Sequence, residues 1–265
     1  MDTMDNLEIR KVSEEVSGEV GTATTELTNL VAAPTSRRRL LYRAAAGLAG
    51  VTAAGTAAAT VLNTRTLHAQ TTSISSILTE YFSILATGEA LFVTFYSHGV
   101  ANHEQLGING SALTALKAIL TEEQIHLNFA LAHGGTPATT HFSFPHGAET
   151  FQDRALFLAT QQLGEELTNG ALLAWIKDMA TMDQPRLAQI GGQLMQVEGG
   201  HRVVGRVIMN ANPWDNWAFG PVALNSFLQV PAVVKAAGFL SPQPGNDFAY
   251  HPVSASFPGV INTKP

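Results

Sequence analysis

Cysteine is absent from the 265 residues of this chain. That excludes disulfides and thiolate metal sites, so any bound metal must be held by oxygen and imidazole, donors that suit iron, manganese or zinc. Charge is also scarce. Charged residues make up 14% of the chain, well below the usual quarter. The formal net charge is -6, which points away from nucleic acid. Before Gln70, seven basic and seven acidic residues cancel, so the whole excess of negative charge belongs to the remainder. A lightly charged helical protein either buries much of its surface in partners or wraps itself with its own tail.

Three segments differ in texture: 1–69, 70–212 and 213–265. Residues 1 to about 34 are polar, mixed in charge and rich in Thr and Glu, and read as disordered. Ser36-Arg-Arg-Arg-Leu-Leu-Tyr42 follows, and then a run of Ala, Gly, Thr, Val and Leu from Ala44 to Leu62. This region resembles a twin-arginine export signal, with Arg37 and Arg38 as the consecutive pair. Cleavage is expected after Ala59 or Ala69. An uncleaved anchor is the main alternative, although an Ala- and Gly-rich run has little drive to stay in lipid. The expected location is exported, periplasmic or extracellular, with the twin-arginine machinery as a partner.

The segment 70–212 reads as four helices. In the first, Ser73 to about Val100, Ile74, Leu78, Tyr81, Leu85, Glu89, Phe92 and Tyr96 recur at three- and four-residue steps. Glu89 occupies a stripe position where Leu would be expected. The second runs from about Ala112 to Ala132 with Ser111 as its expected N-cap, and carries Glu123-Gln-Ile-His126. His133-Gly-Gly-Thr-Pro137 breaks it, and a loop continues to about Gly147. The third, from about Ala148 to Thr181, holds the adjacent acids Glu165 and Glu166. The face counted from Glu165 stays apolar or hydrogen-bonding, whereas the face counted from Glu166 meets Lys177. Glu165 is therefore the expected inward residue. The fourth starts at Asp183-Gln-Pro185, with Asp183 as the expected capping acid, carries Glu198-Gly-Gly-His201 and ends at Asn212-Pro213.

Each Glu-x-x-His places an acid and an imidazole three residues apart on one helical face. Two such motifs and two more stripe acids give four carboxylates and two imidazoles facing one interior. Four buried carboxylates would repel one another, since each costs several kcal/mol when uncompensated. Two divalent cations neutralise all four, and each imidazole supplies one nitrogen while its other nitrogen needs an acceptor such as Glu122 or Glu166. Either motif alone is weak, because a lone Glu-x-x-His usually lies on a solvated face. The conjunction and the order carry the reading. Gly199 and Gly200 admit two readings, tight helix packing or room for a small oxidant. His103, His133, His141, His146 and His251 carry no comparable logic and are expected in loops or at the surface.

The final stretch interleaves Trp214, Trp217, Phe219, Phe227, Phe239, Phe248, Tyr250 and Phe257 with seven prolines from Pro221 to Pro265. Short helices are expected near Val222–Leu228 and Ala232–Ala237. The aromatic density predicts a tail that packs over the helices or onto a neighbouring subunit.

With these residues in hand, the segment from about Ser73 to Asn210 resembles a ferritin-like domain: an all-α, four-helix bundle, here with an aromatic and Pro-rich C-terminal extension. More narrowly it is similar to exported ferritin-like proteins grouped with plant desiccation-related proteins. The matching pieces are Glu89, Glu123-Gln-Ile-His126, Phe157-Leu-Ala-Thr160 leading to Glu165-Glu166, and Glu198-Gly-Gly-His201. The resemblance implies a dinuclear iron or manganese centre. In it Glu89 and Glu165 are terminal ligands, Glu123 and Glu198 bridge, and His126 and His201 serve one metal each. It also implies redox chemistry on peroxide or oxygen. A non-catalytic stress protein is the alternative, and iron storage is disfavoured by the extra tail. A homo-oligomer is compatible with either. One departure stands out: similar proteins often carry Tyr late in the third helix, where this chain has Trp175.

Overall fold

The computed structural model describes residues 74–212, 218–256 and 265. The disordered and signal readings on 1–69, with Arg37 and Arg38, and the aromatic residues Trp214, Trp217 and Phe257 lie outside the described residues. What is described is all-α in character: four long helices, one short one and a two-stranded pair.

Helix α1, Ile74–Ala101, is buried from Leu85 to Tyr96 at every position except Gly88. A helix apolar on all sides belongs inside a protein or a membrane. This one is long and apolar enough to cross a bilayer, yet 61% of its most apolar window is buried inside the protein, where its side chains form the centre of the core. Helix α2, Gly110–Ala132, packs chiefly on α1. Helix α3, Arg154–Thr181, packs chiefly on α4, Pro185–Ile208. Contacts between α2 and α4 join the two pairs.

The helix starts differ from expectation, and the reason is local hydrogen bonding. Helix α2 begins at Gly110, with Asn109 as its N-cap in place of Ser111. Helix α3 begins at Arg154 and not near Ala148. Residues Gly147–Phe151 instead form a 3-10 turn, and Asp153 caps α3 by accepting from the backbone N–H groups of Ala155 and Leu156 at 2.7 and 2.9 Å. Asp153→Ala is expected to cost about 1 kcal/mol, measurable by urea denaturation; no change would remove the cap from the account. Asp183 does not cap α4. It sits at φ +56, Gln184 takes the N-cap position without a side-chain bond, and Pro185 occupies the first turn as anticipated. Helix α4 stops at Ile208, followed by Asn210 at φ +55, short of Asn212.

In the tail, the expected helix near Val222–Leu228 is absent. Only a 3-10 turn, Phe227–Gln229, forms there, capped by a Ser226–Gln229 capping box, and it runs into α5, Val230–Ala236, with Pro231 in its first turn. The tail lies on the long helices. Phe227 stacks on Tyr81 at 5.5 Å and meets Trp175 edge-on at 5.1 Å. Asp178 of α3 accepts from the Tyr81 hydroxyl, the Ser226 hydroxyl and the Phe227 backbone N–H, each at 2.8 Å. Burial, with help from Asp178, pushes the Tyr81 phenol up to about 12. Strand β1, His141–Phe142, pairs antiparallel with β2, Phe248–Ala249, tying the α2–α3 loop to the tail. Phe144, Phe151 and Phe248 pack into one aromatic cluster. Gln124 of α2 accepts from the Tyr250 hydroxyl and the Val253 N–H.

Candidate metal centre

The interior of the four long helices holds six Glu and His side chains, one or two from each helix. Glu89 comes from α1, Glu123 and His126 from α2, Glu165 from α3, and Glu198 and His201 from α4. None is more than 7% exposed. The Glu-x-x-His spacing works as one helical face in both cases: His126 Nδ1 lies 3.8 Å from Glu123, and His201 Nδ1 lies 2.8 Å from Glu198.

The arrangement has an approximate internal two-fold character. His126 Nδ1 faces Glu198 at 3.1 Å, Glu89 at 3.7 Å and Glu123 at 3.8 Å. His201 Nδ1 faces Glu198 at 2.8 Å, Glu123 at 3.1 Å and Glu165 at 3.7 Å. Each imidazole thus has one carboxylate of its own, Glu89 or Glu165, and shares Glu123 and Glu198 with the other. Two four-residue groups result, Glu89–Glu123–His126–Glu198 and Glu123–Glu165–Glu198–His201, each with ligand atoms within 4.8 Å of one another. These buried Glu and His clusters are able to hold metal ions.

The electrostatics of the site set burial against the attraction between its carboxylates and imidazoles. Burial drives the Glu89 carboxyl well above its ordinary range against the pull of His126. Burial and the charge of Glu198 do the same to Glu165. Burial also acts to raise Glu198, but His201 and His126 outweigh it and hold that carboxyl low. Burial acts to lower both imidazoles, and the surrounding carboxylates overcome it and raise both well above the usual histidine range. Protons are one way to neutralise such a cluster, and cations are the other. Several buried acceptors have no hydrogen-bond partner: Glu89 Oε2, both oxygens of Glu123, Glu165 Oε2 and Glu198 Oε1, with His126 Nδ1 beside them. Buried oxygens that make no hydrogen bond are costly, and with the imidazole nitrogens beside them they are a donor set suited to hard or borderline divalent cations. The residues present fit a metal pair.

The surroundings sort the remaining acids. Glu122 accepts from His201 Nε2 at 2.9 Å, which leaves Nδ1 facing the carboxylates. Glu165 is fully buried in the cluster, whereas Glu166 lies beside Arg202, 3.8 Å from its guanidinium. Three residues of the site surroundings were given no site role by the sequence reading, although Tyr96 stood in the stripe of the first helix. The Tyr96 hydroxyl donates to Glu165 Oε1. Gln161 donates to Tyr96 and to the His201 carbonyl, and Gln162 donates to Gln161 and to the Arg202 carbonyl. The signal was present, since Tyr96 lies two turns from Glu89 on the same face and Gln162 one turn before Glu165. Burial, Glu165 and Glu123 together hold the Tyr96 phenol well above its ordinary value.

The structure speaks against the packing reading of the glycine pair of α4. A Cβ on Gly200 would meet nothing within 4 Å, and one on Gly199 would make only an ordinary contact with Asn169, so neither is demanded by tight packing. The close approaches in α4 occur at Gly191, where a Cβ would strike Trp175, and at Gly205, where it would strike Gln161. Of the remaining histidines, His133, His141, His146 and His251 are exposed, and half-buried His103 faces the Ile108 carbonyl at 3.2 Å. Trp175 is fully buried, and its indole N–H donates to the Leu187 carbonyl at 2.9 Å.

Comparison with protein-family models, with curated proteins and with solved structures found no match.

Proposed function

We propose that this chain is an exported ferritin-like protein, a four-helix bundle with a C-terminal extension. Its interior binds a carboxylate-bridged pair of iron or manganese ions for redox chemistry on peroxide or oxygen. The observation that carries this reading is the sharing pattern: both imidazoles face Glu123 and Glu198, and each faces one further acid. Glu89 and Glu165 would be terminal ligands, Glu123 and Glu198 bridging ligands, and His126 and His201 one nitrogen donor per ion. Such a pair, when bound, supplies two-electron redox capacity and polarises an oxidant.

The chain's own residues do the rest. Glu122 fixes the orientation and tautomer of His201 through Nε2. Tyr96 holds Glu165 through its hydroxyl and is itself held by Gln161. The apolar core around the cluster excludes water and keeps the carboxylates' field unscreened. Export through the twin-arginine route, suggested by Arg37 and Arg38, suits a protein that folds around its metals first.

A second reading, a non-catalytic stress or structural protein, draws on the raised pKa values of Glu89, Glu165, His126 and His201: protons would neutralise the same cluster. Elemental analysis of the purified chain, followed by an assay of peroxide consumption, separates the two. Two bound iron or manganese ions with turnover support the first. A metal-free or metal-loaded but inert protein supports the second.

A further inference from the structure

Two adjoining apolar cavities between α1, α3 and the tail outline a passage. Its inner cavity has a volume of about 40 Å³ and is walled by residues such as Gly88, Leu91, Phe92, Leu167, Val234 and Phe239. Glu89 is the one charged residue of its lining. An adjoining outer cavity of about 280 Å³ shares Ile84, Gly88, Leu91, Val230 and Val234 with it and reaches exposed Glu80 and Pro231. Each is larger than the roughly 10–15 Å³ needed to hold one small molecule the size of water.

The polar groups along the way are already engaged. The Ser83 hydroxyl donates to the Thr79 carbonyl and accepts from the Thr136 N–H. The Thr87 hydroxyl donates to the Ser83 carbonyl and accepts from the Ala138 N–H. The Thr168 hydroxyl donates to the Gly164 carbonyl. A polar or charged traveller would lose its hydration and find few partners in return, whereas an apolar one loses little. Gly88 is the gap in the wall. A Cβ there would meet nothing within 4 Å, although glycine inside a helix costs about 1 kcal/mol relative to alanine. The position is open where a side chain would fill the passage and favour the helix.

We infer that this passage admits an uncharged, apolar molecule of dioxygen's size class to the Glu89 side of the carboxylate cluster, with the tail helix α5 as its outer wall. This rests on the metal-centre reading for its purpose, though not for its existence. It narrows the oxidant to dioxygen over peroxide, because peroxide carries hydrogen-bonding groups that the lining does not meet.

The test uses xenon, an apolar atom that binds dry cavities, on crystals of the full chain under xenon pressure. Xenon is expected in both cavities of the parent, at Gly88, Leu91 and Val234. Gly88→Leu is expected to abolish the inner position while metal content stays at the parent's level. Val234→Phe fills the same space from the tail side and should do likewise, so a folding defect in one variant leaves the other informative. Xenon absent from the inner cavity, or unmoved by both substitutions, would overturn the passage. A parent that takes up xenon but contains no metal would leave the passage standing and overturn the metal centre, so the two failures are distinguishable.

Discussion

Glu123→Ala is expected to abolish binding at both halves of the proposed two-ion centre, lowering the metal content of the purified chain to near none. Glu123 is fully buried, and neither of its oxygens has a hydrogen-bond partner. One oxygen lies 3.1 Å from His201 Nδ1 and the other 3.8 Å from His126 Nδ1, so it belongs to both halves of the cluster. Removing it takes a donor from each ion and leaves the remaining carboxylates with less charge to hold either. Glu89→Ala touches only the His126 half and is expected to lose about one ion. Glu166→Gln lies outside the cluster beside Arg202 and should keep the parent's content. Elemental analysis with circular dichroism as the folding control reads all three. Unchanged metal in Glu123→Ala would show that the ligand set is wrong.

The second large effect is structural. Trp175→Ala should destabilise the chain by about 3–5 kcal/mol, the range for truncating a fully buried large aromatic, and lower the melting temperature by roughly 10 °C. Trp175 is enclosed by Tyr81, Phe82 and Phe227 at ring distances of 5.9, 5.4 and 5.1 Å. It joins α1, α3 and the tail in one contact set, and its indole N–H donates to Leu187 at the start of α4. Gly191 packs so closely on the indole that a Cβ there would collide with it. Thermal unfolding of Trp175→Ala beside Trp175→Phe measures this. A loss below about 1 kcal/mol would mean that Trp175 does not anchor the tail.

The parts of the site that were legible are those written in helical period. Glu89 stands in a stripe of large apolar residues, and its burial at 2% exposure follows from that position. Choosing Glu165 over Glu166 needed only the observation that the rival face meets Lys177, which is exposed in the structure. Helix boundaries were less legible. Ala148 belongs to a helix-forming stretch on propensity, yet Asp153 captures two backbone N–H groups and sets the start of α3 six residues later. The turn at Phe227–Gln229 had apolar neighbours that read as helix, but the Asp178 carboxylate draws in Ser226 and the Phe227 N–H, a contact 49 residues away.

Residue order and period alone determined the four long helices, the acid or acid–imidazole pair on the inner face of each, and the absence of thiolate ligands, because a helical face is a local property of spacing. Only the tertiary structure decided which carboxylates are shared between the imidazoles, that Glu122 serves His201, that Tyr96, itself held by Gln161, bonds Glu165, and that two cavities meet at Gly88 beneath the tail. Each of these is a distance between helices, and packing between elements far apart in the chain leaves no periodic trace in any one of them.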